Sequence, residues 1–129
     1  MPERVTLEMS REAALVCEHA MELYARLKLG QFREITWHMM DLHSGADFDR
    51  ELLHRDFANE LLEMAAKHVY ATYPPPKDDV FDRAWEVYTT LRYTRSWHDH
   101  PEGGDTVNFD RPMSESGDVM PKCEIREAD

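Results

Sequence analysis

Three consecutive prolines at 74–76 constrain this chain more than any other feature. Proline lacks the amide an α-helix needs, and its ring strikes the preceding turn, so no helix runs through "YPPP". The helical patterns on its two sides are therefore separate elements. Upstream, Phe48, Leu52, Leu53, Phe57, Leu61, Leu62, Ala65 and Val69 form a broad apolar stripe that predicts a helix over about 47–71. Downstream, Asp78 and Asp79 suit a helix N-terminus. Phe81, Ala84, Trp85, Tyr88 and Leu91 then supply the buried face of a helix over about 78–97.

A further helix precedes these two. Ser10 can cap its first amides, and Ala13, Val16, Ala20, Leu23, Tyr24 and Leu27 recur at helical spacing. Gly30 stands where a left-handed residue ends a helix. Residues 31–41, "QFREITWHMMD", fit either a short helix or a strand, and "HSGAD" at 43–47 reads as a turn.

Beyond "HPEGG" the period changes from helical to alternating. Val107 and Phe109 alternate with Thr106, Asn108 and Asp110, and Cys123 and Ile125 alternate with Lys122, Glu124 and Arg126. The expected fold is mainly α, a three-helix bundle-like core with a short C-terminal β-hairpin. A chain of 129 residues fits one domain. Residues 1–9 are expected to be a loose N-terminal segment and 114–120 a flexible loop. A hairpin alone is marginal in water, so it needs cover from the helices or from another subunit. With eight methionines to fill irregular gaps, this favours a homo-oligomer.

The net charge of −11 bounds the partners. Duplex nucleic acid is bound by neutralising phosphates with Lys and Arg, and no global basic footprint exists, so neither a duplex nor an anionic membrane surface is an expected partner. A small phosphorylated ligand needs only a few local arginines. No apolar run approaches the roughly 20 residues of a membrane span. Two cysteines, Cys17 and Cys123, lack Cys-x-x-Cys spacing, which suits reduced thiols in a cytoplasm.

Catalytic signatures are scarce. "WHDH" places His98 and His100 beside a carboxylate, but a zinc site wants three or four converging ligands. The serines and cysteines have no nucleophile motif such as Gly-x-Ser-x-Gly. In "DDVFDRAWE", Asp78, Asp79 and Asp82 lie where a helix dipole favours them, and Glu86 adds to a solvated face. The arginines are more suggestive. Tyr88, Arg92 and Arg95 share one helix face, and a guanidinium beside an aromatic ring suits a phosphate or a purine. Arg26 and Arg33 flank the stop at Gly30. On an alternating strand, Asn108 and Asp110 share a face, where an amide can read a base edge and a carboxylate can accept ribose hydroxyls. The plainer account pairs the arginines with the surplus acids and turns Asn108 and Asp110 to solvent.

"LYARLKLGQFREI", "AWEVYTTLRY" and "EGGDTVNFDRPM" together resemble a group of small phage-encoded proteins, the Thoeris anti-defence 1 family. The resemblance spans about 13–125, with the middle helix least distinctive. It implies a non-enzymatic, helical homo-oligomer in the cytoplasm of a host bacterial cell, with no cofactor. Such a protein sequesters a cyclic ADP-ribose-type or cyclic oligonucleotide immune signal in pockets between subunits. Carried onto this chain, it makes Arg26, Gln31, Tyr88, Arg92, Asn108 and Asp110 the ligand-binding candidates. Two other readings stand beside it. One is an acidic inhibitor or DNA mimic acting on a host protein. The other is a metal-dependent enzyme using His98, His100 and nearby carboxylates.

Overall fold

The computed structural model describes residues 3–39 and 48–127. Within them the chain forms four α-helices: α1 (Arg11–Lys28), α2 (Arg33–Met39), α3 (Phe48–Val69) and α4 (Asp79–Asp99). The turn expected at 43–47 lies outside the described residues. Within the ambiguous stretch after Gly30, Arg33–Met39 is helical, as α2, and residues 40 and 41 lie outside the described residues.

The helix ends follow local chemistry. Ser10 Oγ accepts from the Ala13 amide at 3.1 Å, capping α1. At the other end the Gly30 amide donates to Leu27 O at 2.9 Å and the Gln31 amide to Arg26 O at 2.8 Å. Gly30 has φ +78°, the left-handed residue this paired stop requires. The proline turn docks on that stop: Tyr73 Oη donates to Gly30 O at 3.1 Å. Asp78 then caps α4 by accepting from the Phe81 amide at 2.9 Å.

Helices α1 and α4 lie antiparallel and hold the core. Ion pairs mark both ends of the pair, Arg11 with Asp99 and Lys28 with Asp78, and a third joins Glu18 to Arg95 between them. Ala25, Phe81 and Ala84 are buried at the shared face, with Met21, Leu29 and Trp85 packed around them. Helix α2 contacts α1 and α3. Helix α3 packs on α2 and on no other helix among the described residues.

The face that α1 buries differs from the expected one. Val16 is 67% and Tyr24 50% exposed, whereas Glu18 is 3% exposed. The cause lies on α4. Arg95 donates to both Glu18 carboxylate oxygens, Nε at 2.9 Å and Nη2 at 2.8 Å, and this bidentate pair turns the Glu18 side inward. Helix α3 repeats the pattern: Asn59 and Ala66 are buried while Phe57 and Leu61 are exposed. Asn59 is held by the Thr36 hydroxyl of α2 at 2.7 Å.

The expected C-terminal β-hairpin is absent. Val107–Phe109 is a single 3-10 turn, residues 121–127 have no regular structure, and no strand occurs among the described residues. Trp97 decides this conformation. Its ring meets Phe109 edge-on at 5.4 Å, and its indole Nε1 donates to Phe109 O at 3.2 Å. Val107 and Ile125 are 61% and 40% exposed, so the two segments have no common apolar face to bury. The 114–120 segment is irregular and pinned to α4: Glu86 Oε1 accepts from the Glu115 and Ser116 amides at 2.7 Å each.

The end pairs of α1 and α4 predict an acid limb. The Asp78 carboxyl sits below its ordinary 3.8 because the Phe81 amide, and then Lys28, bond its charged form. Asp99 is lowered by Arg11 and then His98. A depressed carboxyl stabilises the fold fully above its unfolded pKa and loses that contribution as pH falls through the folded one. Urea midpoints should therefore hold from pH 6 to about 4 and fall below it. Asp78→Asn keeps the cap but cannot titrate, so its decline should be shallower; equal declines would remove Asp78 from the account.

Candidate functional site

The site begins as a row of rings on α4. Phe81, Trp85 and Tyr88 recur at i, i+4 and i+7, one helix face. Phe81 stacks on Trp85 at 5.7 Å, and Trp85 meets Tyr88 edge-on at 5.1 Å. A cation covers each ring: Lys77 Nζ is 5.6 Å from the Phe81 centroid, Arg26 Cζ 5.4 Å from Trp85 and Arg92 Cζ 4.9 Å from Tyr88. Guanidinium planes over ring faces gain from the ring quadrupole.

Four of the six candidate residues lie on or beside this row. Arg26 Nη1 donates to Gln31 Oε1 at 3.0 Å, and Arg92 Nη1 to Tyr88 Oη at 3.1 Å. Arg26 also pairs with Glu22 at 3.3 Å and Glu34 at 3.8 Å. Glu22 acts on Tyr88 as well. Burial is the main force pushing the Tyr88 phenol up, Arg92 opposes it, and Glu22 adds to it. Arg92 Nε is buried and makes no hydrogen bond.

Asn108 and Asp110 do not join them. Both belong to the turn against Trp97, where Asn108 is half-buried and Asp110 exposed. Trp97 lies nine positions beyond Tyr88 on α4, about 13 Å at the helical rise. Their proposed shared strand face does not exist, because the strand does not form.

Between the α1 stop and the proline turn lies a hollow of about 610 Å³. Gln31, Phe32, Arg33, Glu63 and Tyr73 contribute to its wall. Arg33 Nε donates to Glu63 at 3.1 Å, and Phe32 meets Tyr70 at 6.1 Å. The volume lies in the range of small-molecule sites. A second, smaller hollow of about 330 Å³ is lined by Thr90 and Thr94 of α4 and by Pro112 and Met120–Cys123, with the Thr94 hydroxyl donating to Cys123 O at 3.4 Å. Phe32, Arg33 and Tyr73 are not among the six candidates read from the sequence. Only the docking of the proline turn on Gly30 brings them together, and no local spacing signals that.

His98 and His100 do not share a donor set. His98 Nδ1 lies 3.3 Å from Asp99, and His100 Nδ1 separately lies 3.5 Å from Glu102. Among the described residues, no group of three or more His, Cys, Asp or Glu is placed to hold a metal ion. No helix among them is long and apolar enough to cross a membrane. Comparison with protein-family models, with characterised proteins and with solved structures gives no match.

Proposed function

We propose that this protein is a non-catalytic binder of a small phosphorylated nucleotide signal of the cyclic ADP-ribose or cyclic oligonucleotide class. It would act as a phage anti-defence sponge in the host cytoplasm. The observation that carries the reading is the hollow at the α1 stop. It offers an amide at Gln31, a guanidinium at Arg33, and the rings of Phe32 and Tyr73 within one concave surface. These are the groups that a base, a sugar edge and a phosphate recruit. Arg26 donates to the Gln31 amide oxygen and so restrains one residue of that wall. An incoming phosphate would take Arg33 from Glu63, an exposed pair of small intrinsic strength.

A thermal-shift screen against cyclic ADP-ribose isomers and cyclic di- and trinucleotides tests the proposal. Ligand at 100 times its dissociation constant adds about 2.7 kcal/mol, a rise of roughly 10 °C. Arg33→Ala and Gln31→Ala should remove the shift, and the ligand should be recovered intact. Loss in Arg92→Ala alone would move the site to the aromatic row. No shift with any nucleotide would favour the acidic inhibitor, read out as salt-sensitive binding to a basic protein.

A further inference from the structure

Helix α3 leaves one row of large apolar side chains in solvent. Toward α2 it buries Asn59, 2% exposed, and Ala66, 1% exposed. On its opposite side Phe57, Leu61 and Met64 are 65%, 53% and 60% exposed. An amphipathic helix normally buries the apolar stripe and solvates the polar one, and a contiguous apolar stripe in solvent marks an interaction surface.

The spacing of that stripe says what covers it. His54, Phe57, Leu61, Met64 and His68 recur in alternating steps of three and four, the seam of a heptad. One flank of the seam carries Ala58 and Ala65; the other carries Glu60 and Lys67. We propose that this face pairs with the same face of a second copy, antiparallel about a twofold axis. The register then places Leu61 of one copy opposite Met64 of the other, and Phe57 opposite His68. Ala58 meets Ala65 on one side, letting the helices approach closely. Glu60 meets Lys67 on the other, twice by symmetry. A parallel pairing would set Glu60 against Ala65 and leave the charges unmatched. Charge complementarity therefore selects both the partner, another copy, and its direction.

Light scattering of the full chain at micromolar concentration tests this. In about 0.15 M salt, repulsion between two acidic copies is screened beyond about 8 Å. The expected mass is double the 15.2 kDa of the chain. Leu61→Glu, at an exposed site, should return the protein to the single-chain mass with its helical circular dichroism intact. Lys67→Glu should weaken the dimer about tenfold, and adding Glu60→Lys should restore it by recreating both pairs in reverse. A wild-type monomer overturns the proposal, including one that captures a different protein through α3. So does a dimer insensitive to Leu61→Glu, or a double variant as weak as the single.

Discussion

Glu86→Ala lowers the melting temperature by roughly 10 °C and releases residues 114–118 from α4. Glu86 is 2% exposed and, among the described residues, is the largest side chain buried so completely. Its carboxylate accepts the Glu115 and Ser116 amides at Oε1 and the Ser116 hydroxyl, at 2.9 Å, at Oε2. Hydrogen bonds to a charged acceptor outweigh neutral ones, and three converge on one group. Removing it leaves a hole in α4 and three donors that must find water. Because the loop is accessible, water recovers part of the loss, so the net cost is roughly 3 kcal/mol. The flanking pairs cannot replace the clamp. Arg83–Asp118 at 2.6 Å and Lys77–Glu115 at 3.2 Å are exposed, and such pairs contribute little. Urea denaturation gives the stability change, and limited proteolysis reports the loop. A loss confined to a few tenths of a kcal/mol, with 114–118 still protected, would mean that the segment is held elsewhere.

This clamp also shows which parts of the fold can be read along the chain. Helix ends can, because their chemistry is local: Ser10 and Asp78 cap through their own third neighbours, and Gly30 closes α1 with its own last carbonyls. Helix faces cannot. Apolar periodicity places Val16 and Tyr24 of α1 inside, yet both are exposed and Glu18 is buried, because its partner Arg95 lies on a helix far along the chain. Glu86 likewise reads as a solvated acid until residues 115 and 116 come back to it.

The candidate site divides along the same line. Tyr88 and Arg92 are four positions apart on α4, so helix geometry alone brings them together, while the stop at Gly30 turns Gln31 back onto Arg26, five positions away. Asn108 and Asp110 depended on a strand, and alternation over a few residues does not outweigh one anchoring contact from Trp97. The hollow holding Gln31, Arg33 and Tyr73 needs residues from both sides of α3 in sequence. No pattern confined to one helix reports it.

Gly30→Ala is expected to cost roughly 3 kcal/mol, and its comparison with Gly117→Ala separates two causes. Both glycines have positive φ, +78° and +82°, and a side chain in that region is penalised by about 1–2 kcal/mol. The two sites then differ. A Cβ on Gly117 meets nothing within 4 Å, whereas one on Gly30 would lie 2.7 Å from Pro75 Cδ and 3.1 Å from Tyr73 Cε2. A proline ring cannot rotate away, so the 73–75 turn itself has to move. That movement stretches the Tyr73 hydrogen bond to Gly30 O and adds the cost of an overpacked contact. Urea midpoints should therefore place Gly30→Ala well below Gly117→Ala. Equal losses would mean that the proline turn does not dock on the helix stop. The same displacement widens the wall between Gln31 and Tyr73, so any nucleotide-induced thermal shift should vanish in Gly30→Ala and persist in Gly117→Ala. A glycine chosen to end a helix then also sets the shape of the hollow beside it.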